Sequence, residues 1–143
     1  MMSPDLQASL LCDDVRQEHN GKFILIGLFD VIGTPNFPMM FQRFCIVNRW
    51  CSGEGEFKER TRIISPQNNT VIAEGREILL RMPNTEATVT NVEFFINVAF
   101  PVEGTYWVEI LLDGDLKIRY PLRVNQIHSP RPPKPPEPPP PQT

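Results

Sequence analysis

The strongest constraint on this chain is a two-residue rhythm. Val92, Phe94, Ile96, Val98 and Phe100 alternate with Asn91, Glu93, Phe95, Asn97 and Ala99. Tyr106, Val108, Ile110 and Leu112 alternate with Trp107, Glu109 and Leu111, and Leu116 to Val124 repeats the pattern. Successive side chains leave a strand on opposite faces, so this spacing requires β-structure. No segment sustains a 3.6-residue period over three turns.

Upstream, further strands are predicted at about Ala8–Arg16, Lys22–Ile32, Met40–Trp50, Glu56–Ile64 and Thr70–Leu80, with turn residues between them. Asn20-Gly21 between two apolar runs is a strong hairpin signal, read as a type I′ turn. The run after it (Phe23, Ile24, Leu25, Ile26, Leu28, Phe29) is apolar at odd and even positions alike, as a central strand would be. About eight short strands in one small domain predict an all-β fold, an antiparallel two-sheet sandwich of immunoglobulin-like type.

Proline places the domain boundary. Of 16 prolines, nine lie between Ser129 and Thr143. Proline lacks the N–H that a ladder needs and favours polyproline II. The chain therefore divides into a sandwich, residues 1–128, and a disordered proline-rich tail, residues 129–143. The tail holds P-x-x-P spacings that a partner could read, or it serves only as a spacer. Removing residues 129–143 is expected to leave the melting temperature within about 1 °C of the full chain. A loss above about 5 °C would show that the tail packs on the domain.

Charge excludes several functions. There are 14 basic and 17 acidic residues, interspersed, with a net charge of -3. Such a chain offers no basic stripe for phosphate neutralisation, so no nucleic-acid partner is expected. No apolar run reaches the ~18 residues of a membrane span, and the first residues lack a secretory pattern. The expected location is the cytoplasm, without a membrane partner. Three cysteines, Cys12, Cys45 and Cys51, fit a reducing compartment. Along one extended segment, Cys45 and Cys51 would stand about 20 Å apart, too far to bridge.

Candidate chemistry is sparse. Asp13, Asp14, Glu18 and His19, with Asp30, form the densest ionisable cluster, the kind of set that binds a metal or moves a proton. Against this, Asp13 and Asp14 point to opposite faces of a strand, and no EF-hand or H-x-x-x-H spacing is present. Only two histidines, His19 and His128, are available as bases. No phosphate-cradling glycine loop occurs. The expectation is a non-enzyme without a cofactor, metal or known small-molecule ligand.

Pairing the last three segments as consecutive hairpins sets Phe100 against Tyr106, Ile96 against Ile110, Leu112 against Leu116, Ile110 against Ile118, Val108 against Tyr120 and Tyr106 against Leu122. It also sets Glu109 opposite Arg119, an ion pair worth about 0.2–1 kcal/mol. Pro121 marks an edge or a bulge. This register gathers Phe95, Trp107 and Leu111 on one outer face, a candidate surface for a protein partner or a second copy. The function predicted is a non-enzymatic module acting through protein–protein contacts. The alternatives are a small-ligand or metal-binding enzyme at the first hairpin, and a structural subunit with an edge strand paired to a neighbour.

The stretch Leu10-Leu11-Cys12-Asp13-Asp14-Val15-Arg16-Gln17-Glu18, then Asn20-Gly21-Lys22 and Ile26-Gly27-Leu28-Phe29-Asp30, resembles a family of small bacterial proteins with a domain of unknown function. Phe100-Pro101 and Gly104-Thr105-Tyr106-Trp107-Val108 match as well. The likeness spans roughly residues 5–126 and omits the tail. It implies a bacterial source and a β-sandwich, and it carries no activity to transfer.

Overall fold

The computed structural model describes residues 1–128 and 138–141. The predicted disordered tail lies outside the described residues, apart from the exposed Pro138–Pro141. The described chain is all β. Its strands are β1 (Asp5–Gln17), β2 (Phe23–Leu28), β3 (Val31–Thr34), β4 (Met39–Cys51), β5 (Gly55–Ile64), β6 (Val71–Glu74), β7 (Ile78–Met82), β8 (Thr88–Phe100), β9 (Gly104–Leu112) and β10 (Asp115–Gln126). They form two sheets. The first has the order β2-β1-β4-β8, and the second runs β3-β10-β9-β5-β6, with β7 also on β5.

Alternation fills the space between the sheets. Phe44, Ile46 and Trp50 of β4 meet Phe57 and Ile63 of β5 and Tyr106, Val108 and Ile110 of β9 in one buried cluster. Each large side chain taken from water there contributes roughly 1.5–3 kcal/mol. Phe44 stacks on Phe95, with centroids 5.3 Å apart, and Phe100 meets Tyr106 edge-on at 5.0 Å.

The hairpin β9–β10 keeps the expected register. Ile110 faces Ile118, Glu109 faces Arg119, Val108 faces Tyr120 and Tyr106 faces Leu122. Asp113 (φ 50°) and Gly114 (φ 83°) form a two-residue turn with both φ positive, the turn that matches strand twist. One correction follows from a bulge between Leu116 and Ile118, which sets Leu116 against Leu111 instead of Leu112. β10 is open beside Pro121. From Arg123 onward it pairs in parallel with β3, an exception to the antiparallel pairing expected of the sandwich.

The β8–β9 hairpin does not exist. β8 pairs along its whole length with β4, Phe100 to Met39 and Thr88 to Cys51, and belongs to the other sheet. The Pro101–Glu103 link therefore crosses between sheets. Two predicted strands are also divided. Lys22–Ile32 becomes β2 and β3, and Thr70–Leu80 becomes β6 and β7, separated by Gly75-Arg76-Glu77.

The first hairpin forms at Asn20-Gly21, with a different turn. Gly21 N–H donates to the Glu18 carbonyl at 2.9 Å and Glu18 N–H to the Lys22 carbonyl at 2.8 Å. Only Gly21 takes positive φ (89°) there, so the loop is a turn closed by a glycine bulge. β2 is an edge strand, not a central one.

Candidate functional site

The predicted acidic set is spread along the first hairpin. Asp13 and Asp14 lie within β1, four to five residues before the turn that holds Glu18 and His19, a separation of roughly 15 Å along a strand. The Asp13 carboxylate fills the space beside Gly27, whose φ of 70° and missing Cβ admit it. Asp14 is engaged by Arg43 at 3.2 Å and Arg16 at 3.9 Å. Glu18 shapes the turn through its backbone. His19 and Asp30 are exposed. Among the described residues, no three His, Cys, Asp or Glu side chains are grouped to hold a metal ion.

The predicted surface of Phe95, Trp107 and Leu111 is also dispersed. Phe95 points into the core at 5% exposure, because β8 changes phase at Asn97, whose φ is 53°. Before Asn97, Glu93 and Phe95 turn inward while Phe94 and Ile96 are exposed; after it, Val98 and Phe100 turn inward. Trp107 and Leu111 do share the outer face of β9, in the opposite sheet. There the Arg119 guanidinium lies 4.6 Å over the Trp107 ring, and Leu111 is covered.

Two features were not foreseen. The first is a polar network between the sheets. Glu59 of β5 is fully buried. Its carboxyl accepts Asn48 Nδ2 at 2.8 Å, Trp50 Nε1 at 3.1 Å and Asn91 Nδ2 at 2.6 Å. Asn48 also donates to Thr61 at 3.1 Å and accepts Ser9 Oγ at 2.6 Å, and Ser9 meets the Tyr120 hydroxyl at 2.9 Å. Burial pushes the Tyr120 phenol up to about 12 against that hydrogen bond. The signal was legible: Glu59 shares the inward phase of Phe57, Thr61 and Ile63, where a carboxyl is out of place.

Beside the network an open cleft of about 860 Å³ separates residues 72–78 from residues 92–99 of β8. Glu93 reaches across it. Its carboxyl accepts the Arg76 backbone N–H and sits where a Cβ on Gly75 would collide with it. Its Oε2 is buried without a partner among the described residues. Burial pushes the Glu93 carboxyl up to about 7; the Arg76 N–H lowers it, Glu59 raises it, and the Arg76 and Arg60 charges lower it further. Such a group can hold or release a proton near neutrality. Among the described residues, the cleft's lining includes no serine, cysteine, histidine or lysine.

The second unforeseen feature is β2 itself. Phe23, Ile24, Ile26 and Leu28 are 38%, 43%, 41% and 60% exposed. Adjacent strand residues face opposite ways, so β2 shows apolar side chains on both faces at a free edge. Its neighbour β1 is tied to β4 through Cys12, directly opposite Cys45. Both thiols are free and buried, and burial, then the nearby Cys12, pushes Cys45 up to about 11.

Among the described residues, no helix is long and apolar enough to cross a membrane. Residues 7–125 match the model of a family described as a family of unknown function (DUF6941). No curated protein matches the chain.

Proposed function

The chain belongs to this family of unknown function, and from that premise we propose that it is a non-enzymatic binding module acting through protein–protein contacts at the free edge of β2. The observation that carries this is the mismatch between composition and position. The segment Phe23–Leu28 has the makeup of a strand buried on both faces, and it stands at the end of a sheet. Edge strands are ordinarily blunted by charge, proline or cover. β2 carries no charge or proline within its span and no cover among the described residues, so an added strand would complete it. The acidic balance, 17 acidic against 14 basic residues, supports a protein rather than a nucleic-acid partner. The free thiols Cys12 and Cys45 support a reducing, cytoplasmic setting.

A photo-crosslinking residue at position 24 of the full chain, expressed in its native cell, is expected to capture a discrete protein. Ile26→Lys in the same chain should abolish that capture while leaving the circular dichroism spectrum unchanged. Capture that is indifferent to Ile26→Lys would sink the assignment to β2.

A second reading, a small-ligand site in the cleft between β6–β7 and β8, is favoured by one observation, the buried unpartnered Oε2 of Glu93. This replaces the first hairpin as the place for such a site, since that hairpin does not gather its carboxylates.

A further inference from the structure

We infer that the partner of β2 is a second copy of the same chain, joined β2 to β2, antiparallel, about a two-fold axis at Leu25. This rests on the strand-edge reading above and names its occupant. The backbone sets the register. The Lys22 carbonyl accepts Glu18 N–H, so the polar groups of Lys22 point toward β1. By alternation those of Phe23 and Leu25 point to the open edge. At the other end Phe29 N–H donates to Leu11, so the sense reverses near Gly27, which has φ 70° and interrupts the ladder opposite Asp13. Leu25 is thus the central residue with outward-facing N–H and C=O, and two copies can exchange both bonds there.

That register also matches side chains, since Ile24 falls opposite Ile26 of the second copy, and Ile26 opposite Ile24. Antiparallel pairing brings Lys22, just before β2 in one copy, to the end of the strand that Asp30 follows in the other. Both are exposed, and neither is in an ion pair among the described residues. Between them the strand carries no charge to repel its own copy. A closed two-fold contact needs a self-complementary patch, and this strand supplies one. The opposite edge of the sheet is less suited. In β8 Asn97 has left-handed φ, and Arg43 lies 4.6 Å over the Phe94 ring. Pairing would merge two four-stranded sheets into one of eight strands.

The test is sedimentation equilibrium of the full chain. The wild type should sediment at twice the 16.4 kDa chain mass. Ile24→Glu alone and Ile26→Lys alone should each weaken self-association by more than about tenfold, since each sets a charge against an apolar residue. Mixing the two variants should restore the double mass as a heterodimer, because the carboxylate introduced at position 24 then meets the ammonium introduced at position 26 across the axis. A monomeric wild type at 100 µM would overturn the proposal; if a crosslink from position 24 to another protein still depended on Ile26, the strand-edge reading would survive it. A dimer unaffected by either substitution, or two monomeric variants that fail to associate on mixing, would overturn it too.

Discussion

Replacing Glu59 with leucine is expected to cost about 3–5 kcal/mol of folding stability and to lower the melting temperature by about 10–15 °C. Leucine has nearly the right volume, so packing is not the main loss. Trp50 Nε1 and Asn91 Nδ2 each lose the oxygen they donate to, while Asn48 keeps Thr61. An orphaned buried donor costs about 1–3 kcal/mol; the Trp50 indole is fully buried, and Asn91 is half-buried. Glu59→Gln should fall between, because one retained oxygen serves one side of the network while the new amide nitrogen faces a donor on the other. Thermal unfolding followed by circular dichroism at neutral pH checks the ranking. If leucine were tolerated as well as glutamine, hydrogen bonding would not be what holds Glu59 in place.

The second large effect is on pH dependence. Glu93 is raised from 4.5 to about 7 in the folded chain. Below pH 4.5 the group is protonated in both states, and its contribution to stability is fully present. As the pH rises, the unfolded chain ionises first, so stability falls from about pH 4.5 until the folded carboxyl has also ionised above about pH 7. The group is only half-buried, and solvent screens it, so the loss is about 1–2 kcal/mol rather than the full value of the shift. Its charged neighbours, Arg76 in the β6–β7 link and Arg60 and Glu59 in β5, all lie on the opposing sheet. Glu93→Gln stays neutral throughout. It should match the wild type at pH 4.5 and exceed it by that 1–2 kcal/mol at pH 8.5, measured by urea unfolding at each pH. Parallel profiles for the two chains would show that Glu93 ionises freely in the folded state.

Local rules explain what the sequence revealed. The β9–β10 register was legible because Asp113-Gly114 fixes it within a few residues, and the Glu109–Arg119 pair followed at 3.9 Å. A tighter partner for Glu109 was not legible. Arg62, at 2.7 Å, comes from β5, and nothing in the spacing shows that β5 lies beside β9. The same non-locality hid the β4–β8 pairing, since Phe100 and Tyr106 are close enough in sequence to suggest a hairpin. The phase change at Asn97 was hidden for another reason. Left-handed φ is ordinarily signalled by glycine, and an asparagine in an apolar strand does not stand out. One missed residue therefore inverted the facing of Glu93, Phe94, Phe95 and Ile96, and with it the predicted contact surface. Composition was a good guide to β2 only in part. It read the need for neighbours on every side, and the fold within one chain leaves that need unmet.

Two greasy sheets laid face to face have little reason to prefer one offset over another, since one isoleucine resembles the next. The Glu59 network removes that freedom. Its donors come from β4 and β8 of one sheet, and its carboxyl and Thr61 come from β5 of the other. Sliding either sheet by one pleat would strand every one of these groups in hydrocarbon. The cluster works as a locating pin, fixing how the two halves align.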